Sequence, residues 1–493
     1  MSMRIRKTKT KSGATAIQVV DSRYGKTLIC KHIGSAVTPE DIARLGEKAR
    51  AWMLTASRQQ SFFSQGVSFD PLFSRYRYLG VRYTLLYDVI SLVLHTLGFS
   101  TLSDQLLLDL VLMRVVAPGS KRESVQKLAE WFGISYHLTR VYKHLARIVA
   151  KKTDVEARLM AFATDHLHAD FSFVLYYVTT LYFEAFTPEE LKQCCLSKDN
   201  KSQQPQIIVG LLVTSEGFPL AYDVFAGNTF EGHTMIPIVT GLVARYHLKN
   251  LTVVADAAML SQKNIEALVT AGISYIVGAR LGYLTDIQVH DIAQTLGEVD
   301  GASIKRIIGG KTLICDFSKK RYTKNKSDTE KQLKKAREII EGKRLGTRHR
   351  FLTQKQTQVT LNQSLINRTK LLWGIKGYIT NIEAPHELII ARYHDLLHVE
   401  QSFRMAKSDL LTRPIYHFKQ EAIKAHLLIC IMALSVGKYM ELTINRSLQY
   451  ILTHLKQYPD ARVEHIATKE QSTWRMEIPE ETKQLLTKLG YTY

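Results

Sequence analysis

From residue 171 to residue 280 the chain reads strand, strand, strand, helix, strand, helix, strand, and few architectures accept that order. "FSFVLYYVTTLYFEAF" is dense in β-branched and aromatic residues, as a strand requires. "QIIVGLLVTSEGFPLAYDVFAGN" reads as a hairpin about Ser215-Glu216-Gly217. An amphipathic helix in "TMIPIVTGLVARYH" follows, then a short apolar strand in "LTVVADAAM". A helix in "SQKNIEALVTAG" and a second apolar strand in "SYIVGAR" complete the run. Hairpin-linked strands followed by helix-linked strands predict one α/β sheet, antiparallel in its first part and parallel in its second.

The flanks read differently. Residues 1–37 predict a basic β-ribbon, with Thr15 to Val20 and Lys26 to His32 flanking a turn near Ser22 to Gly25. Residues 38–165 predict helices. The first opens on a Thr38 cap with Pro39 in its first turn. Two more are joined at Gly133-Ile134-Ser135, a layout shared by a DNA-binding helix-turn-helix and an ordinary helical hairpin. Residues 166–280 hold the first part of the α/β core, and 372–440 the second. Between them, 281–371 reads as an insertion subdomain, with a strand pair about Gly309-Gly310. It also holds a charged segment from Lys319 to Arg350 in which bases outnumber acids roughly threefold. Within that segment Ser327 and Glu330 suit a capping box at the start of a basic helix. Residues 441–493 read as a helical tail.

Charge narrows the partners. The 493 residues carry 66 Lys and Arg against 45 Asp and Glu, a formal net charge of +21. Such a surplus favours polyanions, nucleic acid first and a membrane surface second; a merely solvated basic surface is the plain alternative. Five cysteines (Cys30, Cys194, Cys195, Cys315 and Cys430) show no C-x-x-C spacing, which argues against a zinc site or a disulfide framework. The basic start, MSMRIRKTKTKSG, has no apolar run behind it, and apolar stretches such as Leu106 to Val116 are too short to span a bilayer. The expectation is a cytoplasmic, nucleoid-associated protein with no membrane partner.

Two places could carry chemistry. Asp256 ends the apolar strand "TVVADAAM", where a buried carboxylate needs a metal or another partner, and where ligands of open α/β sheets sit. An Asp capping the next helix would look the same. In "YHDLLHVEQSFRMAKSDLLTRPIYH", Tyr393, Glu400, Arg404 and Lys407 recur at spacings that bring them near one helical face. A surface helix with a Glu400–Arg404 ion pair has the same spacing.

The second segment resembles the signature of bacterial insertion-sequence transposases of the IS-four superfamily, written Y-x2-R-x3-E-x6-K. Tyr393, Glu400 and Lys407 fall on three of its four marked positions. Leu396 stands at the arginine position, so Arg392 or Arg404 would supply that charge. "VLYYVTTLYFEAF" resembles the first catalytic strand of the IS-sixteen-thirty-four-like branch, usually close to V-L-Y-D-V-T-T-L-Y-F-E. "VVADAAMLSQKNIEAL" resembles the second, and "GYITN" and "RPIYH" bracket the Glu400 helix. The resemblance runs from about residue 100 to 440. It implies an RNase H-like mixed sheet with helices, interrupted by a basic, β-rich insertion, and a DDE transposase activity. It further implies two Mg2+ ions held by two aspartates and a glutamate, with Asp256 the second aspartate and Glu400 the glutamate. Tyr393, Arg404, Lys407 and Arg413 would contact DNA. The partners implied are double-stranded DNA, as terminal inverted repeats and target, and a second copy of the chain on paired ends.

One departure matters for activity. The first aspartate of the resemblance falls on Tyr177. A neutral phenol is a poor Mg2+ ligand. Asp170 and Glu184 are each seven residues away, about 23 Å along a strand and on the opposite face, and the same-face neighbours are Leu175 and Thr179. Trp373, before Gly374, is a second departure from the branch. Three readings follow: a transposase impaired at Tyr177, a transposase relic that only binds DNA, and an RNase H-like nuclease without joining activity.

Overall fold

The computed structural model describes residues 3–10, 12–23, 26–56, 75–183, 190–194, 204–259, 261–343, 349–355 and 358–492. Contacts divide the chain into two compact units, one spanning Met1–Arg77 with Glu464–Glu470, the other Tyr78–Val463 with Gln471–Tyr493.

In the first unit, β1 (Met3–Lys9), β2 (Thr15–Arg23) and β3 (Lys26–Ala36) form an antiparallel sheet in that order. The ribbon expected from the sequence therefore gains a third strand. Ile17 and Val19, two apart in β2, face one side, where α1 (Pro39–Ala56) covers them with Ala49, Ile42 and Leu45. This helix thus belongs with the ribbon rather than with the helices that follow, and the expected boundary at residue 37 is not a structural one. Its start is as read: the Thr38 hydroxyl accepts the Asp41 N–H at 3.2 Å.

The next strand, β4 (Tyr76–Arg82), lies in a stretch expected to be wholly helical. Helices α2 (Thr84–Thr96), α3 (Gln105–Val116), α4 (Lys121–Lys127), α5 (Leu138–Val149) and α6 (Lys152–Asp165) come after it. Asp104 caps α3 by accepting the Leu107 N–H at 3.1 Å, and also holds His144 of α5 at 2.8 Å.

The core of the second unit is an eight-stranded sheet. Its first members are β5 (Phe173–Tyr182), β6 (Gln206–Val213) and β7 (Pro219–Ala226), then, after α7 (Met235–Tyr246), β8 (Thr252–Ala255), and after α8 (Gln262–Thr270), β9 (Ser274–Gly278). β5, β6 and β7 pair antiparallel, and β5, β8 and β9 pair parallel, so the spatial order is β7-β6-β5-β8-β9. That order and those directions are the RNase H-like arrangement.

Beyond β9 the sheet continues into the stretch read as an insertion subdomain. After α9 (Asp286–Leu296), β10 (Ser303–Ile308) and β11 (Lys311–Phe317) extend the main sheet on its β9 side. Leu313, Cys315 and Phe317 alternate along β11 and bury against Leu281, Ile292 and Leu296, which pins the hairpin there. The remainder of that region builds a small core of its own around Ala336, Phe351 and Ile366. It consists of α10 (Lys319–Ile340), the hairpin β12 (Leu352–Lys355) and β13 (Gln358–Leu361), and α11 (Gln363–Leu371). α10 starts eight residues before the expected Ser327 cap. Nothing in KKRYTKNK breaks a helix, and Arg321 ties the first turn to Asp316 at 3.0 Å.

The chain then returns through β14 (Ile375–Thr380), between β11 and β9, to α12 (His386–His394) and α13 (Leu396–Arg404). Among the described residues the longest apolar helix is α14 (Gln420–Ile444). It is long and apolar enough to cross a membrane by length and composition, but 78% of its most apolar window is buried by the rest of the chain. The tail expected to be helical holds α15 (Leu448–Leu455), two strands, β15 (Asp460–His465) and β16 (Gln471–Trp474), and α16 (Glu480–Lys488).

A buried carboxylate ties the helical layer to the sheet. Glu156 of α6, 2% exposed, accepts the Tyr222 N–H of β7 at 3.3 Å and pairs with Arg245 of α7 at 2.6 Å and Lys152 at 3.1 Å. Glu156→Leu strands that N–H, while both bases still reach water. The expected loss is about 2 kcal/mol in urea denaturation; an unchanged midpoint would show the cluster to be idle.

Candidate active site

Asp256 is the first residue after β8. Its Oδ1 accepts the Ala258 N–H at 2.7 Å, and its carbonyl accepts the Met259 N–H at 3.2 Å, so the carboxylate closes a tight turn at the strand end. It does not cap α8; that role falls to Ser261, whose hydroxyl accepts the Asn264 N–H at 3.1 Å. Among the described residues Oδ2 makes no hydrogen bond.

Strand pairing brings Tyr177 to the same place. β5 and β8 run parallel with Phe173 beside Thr252, Val174 beside Val253 and Leu175 beside Val254. Carried two residues past the last pair, that register aligns Tyr177 with Asp256, the first residue beyond β8. The half-buried Tyr177 ring lies 5.7 Å from Phe403, three residues after Glu400 on α13. That helix is fixed from the other side by the β6–β7 turn. Ser402 Oγ donates to the Gly217 carbonyl at 2.8 Å, and His398 Nδ1 lies 2.5 Å from the Ser215 carbonyl. Gly217 has φ of 86°, and a Cβ there would sit 2.9 Å from the His398 carbonyl, so both backbone shape and approach need glycine.

Tyr393 links the two acids. It is 6% exposed, with Lys376 Nζ 4.4 Å from its ring and the Tyr378 ring at 4.8 Å. Burial pushes its phenol well above the usual tyrosine range, and the charges of Asp256 and Glu400 push it further. Lys376 feels the same pair: burial and Arg321 lower its ammonium, while Asp316, Glu400 and Asp256 act in the opposite sense. Asp256, from a strand end, and Glu400, from an exposed helix face, therefore project their charge onto the same two groups.

The other residues singled out from the sequence divide. Glu400 and Arg404 form no ion pair among the described residues, so the surface-pair alternative is not realised. Tyr393 and Glu400 sit on separate helices, because the chain breaks at Asp395. Lys407 lies on a widened turn, Met405–Asp409, that continues the Glu400 helix. Leu396 is buried at the arginine position. Arg392 does not stand in for it, being paired with Asp395 at 3.1 Å and stacked 5.1 Å over Phe173. Arg413 has its guanidinium 5.4 Å over Tyr182 at the end of β5. Asp170 is occupied by the Ser172 N–H and hydroxyl at 2.8 and 2.6 Å; Glu184 lies outside the described residues. Trp373 packs on Tyr322 and donates to Thr329 at 3.0 Å, a role in the small core around α10.

The sequence reading missed Lys376. Its signal was the alternation in "GIKGYIT", which puts Lys376 and Tyr378 on one face of β14. Asp316 is the other nearby acid, but Arg321 and the Tyr378 hydroxyl, at 2.8 Å, already hold it. Among the described residues no group of three or more His, Cys, Asp or Glu side chains is assembled to hold a metal. Tyr177 brings a neutral phenol, and no carboxylate, to this end of the sheet.

Gly278, at the end of β9, is what lets Tyr393 in. A Cβ there would stand 2.5 Å from the Tyr393 hydroxyl and 3.1 Å from the Ala257 nitrogen. Gly278→Ala is expected to cost roughly 1–3 kcal/mol. Adding Tyr393→Phe, which deletes the clashing oxygen, should recover part of it in a double-mutant cycle of denaturation midpoints. Strict additivity would locate the clash elsewhere.

The family Transposase DDE domain matches residues 186–436, about half of the chain, a span that contains Asp256 and Glu400 and begins after Tyr177. No curated protein matches. Among solved structures, the chain is similar to a piggyBac transposase synaptic complex with hairpin DNA, at a TM-score of 0.39 and 10% identity, over 76% of this chain and 78% of that one. The resemblance read from Tyr393, Glu400 and Lys407 is met at the level of the family: this chain belongs to the DDE transposases.

Proposed function

We propose that the protein binds the ends of its own insertion sequence as a transposase does, and that its strand-cutting centre is disabled at Tyr177. The observation that carries the reading is the β5–β8 register, whose continuation aligns the Tyr177 phenol with Asp256, together with the 5.7 Å approach of that ring to Phe403 on the Glu400 helix. Phosphodiester cleavage builds negative charge on both the attacking and the leaving oxygen, and two hard cations held by carboxylates answer it. Asp256 and Glu400 supply two of the three acids. The third place offers a ring that packs on Phe403 and brings no charge.

What remains suits DNA without chemistry. A net charge of +21 favours a polyanion. Lys376, Arg404 and Lys407 lie on or beside the Glu400 helix or its neighbouring strand and would hold backbone phosphates, with Arg413 further along. Two copies on paired ends fit the family's mode of action.

The test is a supercoiled plasmid carrying the DNA that flanks the reading frame, incubated with Mg2+. The natural protein should bind it and leave it uncut, while Tyr177→Asp should nick it roughly a hundredfold faster. Both should bind with the same affinity in a gel shift. Equal nicking by the two proteins would refute the proposal.

A further inference from the structure

A second site lies between the helical layer and the segment after α13. The loop before α4, the exposed side of α5, residues 411–419 and the first turns of α14 enclose a cleft of about 1360 Å³. Positive charge converges on it without matching acid. Lys121 is 3% exposed, lines the cleft, and has no hydrogen-bond or ion-pair partner among the described residues. Arg114, 4% exposed, spends its guanidinium on carbonyls: Gly119 at 2.8 Å, Leu411 at 3.3 Å and Leu410 at 3.4 Å. Two acids reach the lining, Glu123 and Glu421. Glu123 is already held by Lys127 at 2.7 Å, and Glu421 is exposed at the start of α14.

Neighbouring groups register the uncompensated charge. Burial together with Arg114 lowers the Lys121 ammonium to about 7. His417 is lowered to about 4 by burial, Lys121 and Arg114, and His426 falls well below its usual value for the same reasons. Burying an ammonium with no counter-charge is costly, and an anionic ligand removes that cost.

The mouth adds a second feature. Tyr142, Tyr416 and Phe418 line the cleft and are 47%, 63% and 61% exposed. Flat rings in water beside a cationic pocket suit unpaired bases, whose faces a duplex hides. The cleft also adjoins the end of β5, where the Ile415 N–H donates to the Tyr182 carbonyl at 3.2 Å.

We propose that this cleft binds a single-stranded stretch of DNA, with a backbone phosphate against Lys121 and Arg114 and unstacked bases on Tyr416 and Phe418. The inference rests on the DNA-binding reading given above and adds to it a strand-selective site separate from the carboxylates. A free phosphate would satisfy Lys121 equally, and the test separates the two sources.

Fluorescence anisotropy would compare a short single-stranded oligonucleotide with its duplex, using the natural chain, Lys121→Met, and the pair Tyr416→Ala with Phe418→Ala. Lys121→Met nearly keeps the side-chain volume and removes a buried charge, so it should melt no lower than the natural chain. Both rings are exposed, but Phe418 also lies 5.1 Å from the Nζ of the buried Lys192, so the melting temperature of this pair is measured beside that of the natural chain. Each variant should bind the single strand about tenfold more weakly, and Lys121→Met should flatten the salt dependence by about 0.7 in log–log slope. Duplex affinity should stay within about twofold. If both variants bind the strand as the natural chain does, the cleft assignment falls while DNA binding stands. If the natural chain binds no DNA, yet inorganic phosphate raises its melting temperature and not that of Lys121→Met, the cleft takes free phosphate and the DNA assignment is overturned. If neither ligand binds, this inference and the DNA-binding reading both fall.

Discussion

Parallel pairing of β5 with β8 fixes what this end of the sheet can do. Side-chain alternation in a strand leaves no slack, since a slip of one residue would turn Tyr177 into the opposite layer and bring Tyr176 or Val178 to Asp256. The register is held by full burial: Val174, Leu175 and Tyr176 are at 0% exposure, and Tyr176 reaches Thr234 with a 2.6 Å hydrogen bond. The core itself therefore fixes the phenol at position 177 at this end of the sheet. The same core would deliver a carboxylate there with equal accuracy.

Around that point the chain balances charge in two different ways. Near Asp256 and Glu400 the counter-charge is local, because Lys376 rises from β14 and lies over Tyr393. Near Lys121 and Arg114 the protein supplies backbone carbonyls and almost no acid. The first arrangement sets one ammonium against two carboxylates. The second stays cationic until something anionic enters. Both face regions reached from β5, one beside Tyr177 and the other beyond Tyr182.

The strand and helix order from 171 to 280 was legible because each element carries its own period and lies next to its partners in sequence. The Thr38 cap was legible for the same reason: its signal is local. What escaped depends on distance along the chain. β10 and β11 look like any hairpin, and only burial of Leu313 and Phe317 against Leu281 and Ile292 makes them part of the main sheet. Asp395 breaks a helix whose apolar spacing reads as continuous. Lys121 sits in a run of charged residues that reads as a solvated helix start, and it is buried by a segment almost three hundred residues later. Lys376 could have been found by weighing alternation in β14, but its partners Asp256 and Tyr393 come from other elements. The chemistry of Tyr177 was visible only by resemblance; its geometry needed the sheet.

The burial of α14 also has a consequence for synthesis. This helix packs against α3 and α5, and Arg114 of α3 reaches the carbonyl of Leu410, 296 residues further along. At a ribosomal pace of about 5–20 residues per second, the apolar faces of Leu107, Val111 and Leu145 emerge roughly 15–60 s before the helix that covers them. Through that interval the nascent amino-terminal half offers sticky surface to chaperones and to other unfinished chains. Its maturation must therefore finish from the carboxyl-terminal side, and truncation before residue 420 would strip the lid from the helical layer.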